Sequence, residues 1–206
     1  MRNLLFAVPV MLGLLLAASP AKAELPSKMF RLHLFSNVLE VGTGETSTND
    51  EPDEGYGGLE IGAGMSRFGV GLAGTLGSGF VLGGRVALGQ EAGNWTPGND
   101  DEGFVWSVAP YLEYVFLSTR VRPFVKAIAG FEGSHWENNG GFWGALFGGG
   151  GGIHIFLRPN VSIDIDLDLV FRVGTGEWSG NRNTPDDDFS HWRFYFGTLF
   201  GLSAWL

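Results

Sequence analysis

The chain of 206 residues contains no cysteine, which excludes a disulfide framework, a thiolate zinc site, a thiol nucleophile and an acylated N-terminal cysteine. Basic residues are scarce, 13 Lys and Arg against 22 Asp and Glu, for a formal charge of −9. That balance leaves no phosphate-gripping face and excludes nucleic acid as a partner. Long apolar runs are missing as well. The single one, residues 4–18, falls short of the ~20 residues that a spanning helix needs. Glycine is the opposite case, at 34 residues, but without the three-residue period of collagen. A hydrophobic content of 44% with 14% aromatics is too apolar for a disordered glycine-rich chain.

The apolar run reads as an export signal. Arg2 supplies the basic start, and Ala21-Lys22-Ala23 forms an A-x-A cleavage site before Glu24. Residues 1–23 are therefore expected to be a signal peptide and residues 24–206 one barrel domain. Its removal takes Arg2, Lys22 and no acid, so the net charge moves from −9 to −11.

Beyond it the pattern has a period of two. In residues 161–172, Ile163, Ile165, Leu167, Leu169 and Phe171 share one face, and Ser162, Asp164, Asp166, Asp168 and Arg172 the other. Strict alternation identifies a strand. It recurs in residues 80–90, 104–116, 122–132, 141–157 and 191–206, and residues 29–39 and 57–75 complete eight strands. Long, polar, acidic connectors (40–56, 91–103, 133–140, 177–190) alternate with tight ones (76–79, 117–121, 158–160). This is the plan of an all-β fold, an eight-stranded antiparallel transmembrane up-and-down β-barrel with both termini on the periplasmic side. Strands of this length exceed the ~5–6 residues usual in soluble sheets and suit the ~9–11 that cross a bilayer on a tilt. The apolar face then meets lipid, and the charged, glycine-bearing face lines the interior.

Strict parity in residues 57–75 sends Arg67 into lipid, at a cost of ~2–4 kcal/mol near the midplane. A bulge at Ser66-Arg67 turns Arg67 inward and leaves Phe68, Val70 and Leu72 outside; the alternative is a turn there, which would add a strand and break the parity.

Ala109-Pro110-Tyr111-Leu112-Glu113-Tyr114, Arg122-Pro123-Phe124-Val125 followed by Ala129-Gly130, and the stretch 152–162 resemble the strand and turn signatures of small bacterial outer-membrane β-barrel proteins of the OmpA/OmpX/OmpW-like group. The resemblance covers most of the mature chain. It implies the barrel fold and the bacterial outer membrane, with no particular activity. The final strand keeps its alternation through Thr198, Phe200, Leu202 and Ala204 but ends in Leu206, where the group generally ends in an aromatic residue.

The inward face receives Arg31, His33, Glu60, Arg67, Arg85, Glu113, Arg122, Lys126, Glu132, His154, Asp164, Asp166, Asp168, Arg172, His191 and Arg193. Eight strands leave an interior just wide enough to be filled by side chains. Charges buried there must pair, because an isolated buried ion costs several kcal/mol. With residues 158–160 as a three-residue turn, Leu157 faces Val161, and His154, Gly152 and Gly150 face Asp164, Asp166 and Asp168. Arg193, Arg85 and Lys126 are the expected partners of the Asp row. These residues predict a plugged, charge-paired lumen in a monomeric structural or surface-interaction protein. The alternatives are a narrow passage for small solutes and, third, a lipid-modifying enzyme.

No catalytic set is assigned. Ser162, His154 and Asp164 share the inward face, away from lipid, and there is no G-x-S-x-G elbow. Gly69-Val70-Gly71-Leu72-Ala73-Gly74 matches a dinucleotide fingerprint but lies in a strand, with no helix to cradle a phosphate. The acidic connectors are of the ligand type that hard cations prefer, yet they lack EF-hand spacing, so neither metal nor cofactor is expected. Expected partners are outer-membrane lipid and lipopolysaccharide, and the barrel-assembly machinery during insertion.

Overall fold

A computed structural model describes residues 29–48, 54–61, 67–91, 103–116, 119–136, 140–178 and 187–206. The expected signal peptide and the central parts of the long connectors lie outside them. Nine strand segments follow one another: β1 (Phe30–Thr48), β2 (Glu54–Ile61), β3 (Phe68–Gly77), β4 (Phe80–Glu91), β5 (Gly103–Val115), β6 (Val121–Trp136), β7 (Gly140–Arg158), β8 (Val161–Trp178) and β9 (Asp187–Trp205). β1 pairs antiparallel with both β2 and β3, each segment from β3 to β9 pairs antiparallel with the next, and β1 also pairs with β9 from Arg31↔Trp205 to Thr48↔Phe189. That last pairing closes the sheet. Segments β2 and β3 lie end to end along β1, meeting Leu39 through Ile61 and Ser36 through Phe68. The ring therefore has eight staves.

Alternation creates the two faces. In β5, Phe104, Trp106, Val108 and Leu112 are exposed, while Val105, Ser107, Ala109, Tyr111 and Glu113 between them are buried. Successive side chains of an extended chain point to opposite sides, so each stave presents hydrocarbon outward and a filled interior inward. Phe30, Leu72, Trp143, Phe200, Leu202 and Leu206 continue the apolar exterior. The turn between β3 and β4 places Gly77, Ser78 and Gly79 all at positive φ, the left-handed geometry that a tight hairpin requires and glycine accommodates.

The structure corrects several boundaries. The connector expected at 40–56 is strand up to Thr48 and again from Glu54, and β6 runs on to Trp136. The stretch after Leu39 carries Gly, Thr and Glu on both faces, so its period-two signal is silent. Its strand character comes from being paired on both sides, by β2 and β9. The turn at 158–160 also differs. Arg158 faces Val161 across a two-residue turn, with a bulge between Phe156 and Arg158, and beyond it the expected pairs His154↔Asp164, Gly152↔Asp166 and Gly150↔Asp168 stand. The bulge absorbs the one-residue difference.

Strand β7 carries five consecutive glycines, 148 to 152. A Cβ on Gly148, Gly150 or Gly152 would lie 2.1–2.3 Å from carbonyl oxygens of Leu169, Leu167 or Ile165 on β8. Side chains cannot occupy that row, and the space goes to the Asp side chains of β8.

Candidate functional site: the charged lumen

Three groups of charged side chains fill the barrel from the end that holds the short turns and termini to the end that holds the long connectors. In the first, Arg31 of β1 reaches across the lumen to Glu113 of β5, with Nη1 donating to Oε1 at 2.9 Å and Nη2 to Oε2 at 3.0 Å. This is the fork geometry that guanidinium and carboxylate share. Nη2 also donates to the Tyr111 hydroxyl at 2.8 Å, and the guanidinium stands over the Trp205 ring at 5.1 Å. His154 lies between two carboxylates, with Nε2 3.2 Å from Glu113 Oε1 and Nδ1 2.7 Å from Asp164 Oδ1. An ionised carboxylate only accepts, so Nδ1 carries the proton. Ser162 Oγ donates to Asp164 Oδ1 at 2.8 Å, Ser203 Oγ donates to Oδ2, and Trp205 Nε1 donates to Ser162 Oγ at 3.0 Å. The Ser162 hydroxyl thus bonds the acid and not the imidazole, unlike a nucleophile and its base.

Across the middle, Lys126 Nζ donates to Asp166 Oδ2 at 2.6 Å and lies 2.9 Å from Asp168 Oδ1, while Arg85 Nη1 donates to Asp168 Oδ2 at 2.8 Å. His33 Nε2 sits 3.5 Å from Asp164 Oδ2. In the third group Glu132 accepts from both Arg67 and Arg172, and Arg172 Nη2 lies 2.8 Å from His191 Nε2. Arg193 donates to Glu40, whose Oε2 also accepts from Asn37 Nδ2 at 2.7 Å. The Tyr195 ring lies between the Arg67 and Arg193 guanidinium groups, at 5.6 and 5.1 Å.

Six cations, Arg31, Arg67, Arg85, Lys126, Arg172 and Arg193, thereby meet five carboxylates, Glu40, Glu113, Glu132, Asp166 and Asp168, and a sixth, Asp164, is held by His154, Ser162 and Ser203. A cavity of about 30 Å3 among Asn37, Glu40, Arg67, Arg85, Asp168 and Tyr195 remains at mid-height. That is room enough for a water molecule.

The structure brings most of the sequence-derived residues into these groups and alters the expected partners of two, Arg193 and Arg122. Arg193 pairs with Glu40 instead of the Asp row, since across β8 it faces Arg172. Arg122 stands at the rim, donating through Nε to the Thr119 carbonyl and lying over the Phe156 ring at 4.1 Å, with no carboxylate partner among the described residues. Glu60 is backbone-paired with Glu40, and its side chain is not among those described. Glu40 itself escapes sequence parity because of a register shift between Asn37 and Leu39. Counting by twos from Arg31 sends Glu40 outward, and one extra residue turns it in. Arg67 is inside and Phe68, Val70 and Leu72 are outside, as expected, but Ser66, the other half of the expected Ser66-Arg67 bulge, lies outside the described residues.

Ring closure, an apolar exterior and a charge-filled interior now stand together. The fold is a closed, eight-stave, antiparallel up-and-down β-barrel. This barrel is similar to Neisserial surface protein A (13% identity, covering 85% of this chain and 96% of that one, TM-score 0.48). It is similar also to OprG from Pseudomonas aeruginosa (9% identity, 85% and 96%, TM-score 0.49) and to the outer membrane protein AlkL (15%, 92% and 95%, 0.49). No protein-family model and no curated protein matches the barrel's sequence.

Proposed function

We propose that the chain is a monomeric, non-enzymatic outer-membrane barrel whose lumen is sealed by paired charges, serving a structural or surface-interaction role. Its long connectors then face the cell surface and its short turns the periplasm, after removal of residues 1–23 as a signal peptide. The exterior packs against lipid and lipopolysaccharide, and the assembly machinery reads the last strand, Phe200 through Leu206. The observation that carries the reading is the pairing of all six of these lumen cations with five buried carboxylates, the sixth, Asp164, being held by His154. Each cation bridges staves that are not neighbours, or locks the β1–β9 seam, so the pairs cross the bore. A continuous polar column is also what a narrow solute passage would need, and exchange of partners within it is the route by which such a passage would open.

Planar-bilayer recording separates the two. The unmutated barrel is expected to show no sustained unitary conductance, and Asp166→Ala is expected to introduce leak or lower thermal stability. A reproducible open channel in the unmutated protein, with Asp166→Ala altering ion selectivity but not stability, would establish the passage instead.

A further inference from the structure

The two ends of the wall carry opposite charge. Beside the long connectors the acids Glu177 and Asp188 are exposed. At the other end, the turns 76–79, 117–121 and 158–160 hold two arginines, Arg120 and Arg158, and no Asp or Glu. Both arginines are exposed, and neither has a carboxylate partner among the described residues.

The pair stands where the β5–β6 and β7–β8 turns lie side by side. Phe156 N donates to the Arg120 carbonyl at 2.8 Å, which extends the β6–β7 ladder one step beyond Val121↔Ile155. The Arg120 side chain supplies a second bond, its Nε donating to the Phe156 carbonyl at 2.9 Å. Strand carbonyls point within the plane of the sheet, so this guanidinium is tied to the edge of the wall, with its Nη groups left for a ligand. Thr119 braces the turn, its Oγ1 donating to the Val121 carbonyl at 2.6 Å and its own carbonyl accepting from Arg122 Nε at 3.1 Å. Two residues past Phe156, Arg158 faces Val161, which shares the outward face with Ile163 and Ile165. Arg158 therefore extends on the lipid side. Arg122, opposite His154, points inward to the mouth.

The outward surface next to this edge is hydrocarbon. Val121 and Leu157 are exposed there. On the same face Phe80, Tyr114 and Phe116 form a ladder of rings with centroids 4.8 and 4.9 Å apart, and Phe116 N bonds to the Pro123 carbonyl of β6. Aromatic rings at the end of an apolar band mark the membrane–water interface, which sets the neighbouring guanidinium groups at the level of lipid phosphates. Cations at the end of an apolar wall, with no acid beside them, complement an amphiphile that carries its negative charge above its chains.

We propose that this edge binds the phosphate of an anionic glycerophospholipid. Arg120 and Arg158 donate to the phosphate oxygens, and Val121 and Leu157 pack against the first part of the acyl chains. A headgroup without an ammonium leaves the phosphate charge to the arginines, so phosphatidylglycerol is selected over phosphatidylcholine. The orientation proposed above puts this lipid in the periplasmic leaflet; the site itself depends neither on that orientation nor on whether the lumen conducts.

Native mass spectrometry of the folded barrel, released from micelles that carry phosphatidylglycerol and phosphatidylcholine in equal amounts, reads lipid retention without reference to sidedness. The unmutated barrel should retain phosphatidylglycerol with a preference of roughly fivefold or more. Arg120→Gln combined with Arg158→Gln should abolish the preference, whereas Arg122→Gln, on the inward face, should keep it. Heat-modifiable migration on SDS gels verifies that each variant is folded. Equal retention of the two lipids by the unmutated barrel, a preference that survives in the double variant, or an equal loss in Arg122→Gln would overturn the site. Displacement of the bound lipid by millimolar glycerophosphate would reassign the edge to a soluble anion and equally overturn the proposal.

Discussion

Replacing Glu132 by glutamine tests whether the lumen is dry. Glu132 is fully buried and its two oxygens hold the guanidinium groups of Arg67 and Arg172. Glutamine keeps the shape and one acceptor but removes the charge, leaving two cations in a space with little water. Breaking one buried ion pair costs ~3–5 kcal/mol. Arg172 keeps His191 and the Phe142 face, and Arg67 keeps the Tyr195 face at 5.6 Å, so the combined loss should stay near 4 kcal/mol. Urea unfolding in lipid vesicles, monitored by tryptophan fluorescence, measures it. Adding Arg172→Gln should restore at least ~1 kcal/mol relative to the sum of the single effects, because one orphaned cation is then gone. A loss below ~1 kcal/mol, the size of an exposed pair, or strict additivity of the two substitutions, would refute the sealed, low-dielectric lumen.

Two further substitutions test the wall. Phe200→Arg places a charge on the exterior opposite Ser36 and Ile165; it should cost ~2–4 kcal/mol and reduce the heat-modifiable folded form on SDS gels, and normal folded yield would show that the faces are misassigned. Gly150→Val puts a Cβ 2.3 Å from the Leu167 carbonyl oxygen and 2.5 Å from Asp168 Oδ1, for an overpacking loss of ~1–3 kcal/mol. Gly84→Ala, which meets nothing within 4 Å, should stay within ~0.5 kcal/mol in the same urea assay, and equal losses at both sites would remove the steric argument.

Period-two alternation was enough to read the barrel because lipid and lumen impose opposite chemistry on successive residues. It sorted Arg31, Lys126, Asp166 and Arg172 onto one face without any contact being known. Its failures have one physical root, the places where the chain adds a residue or loses contrast. Glu40 changes face through the register shift beside Val38, and sequence parity has no memory of an inserted residue. The upper part of β1, polar on both sides, carries no contrast at all. The pairing of β7 with β8 was recovered despite a misjudged turn, since the Phe156–Arg158 bulge and the shorter turn cancel. Partner choice across the bore, such as Arg193 with Glu40, depends on which staves face each other, which no local pattern encodes.

The run of five glycines in β7 bears on how the barrel finds its alignment. Such a segment has no side chains to hold it in place, so sliding by two residues against β8 would keep every hydrogen-bonded face and lose no packing within the run. What distinguishes the native alignment is charge. Only with His154 opposite Asp164 do Lys126 and Arg85 find Asp166 and Asp168 at bonding distance. The ion pairs then act as teeth of a key, selecting one alignment of an otherwise smooth strand pair during assembly. The glycine run whose inward members make room for the acids also makes the wall depend on those acids for its register.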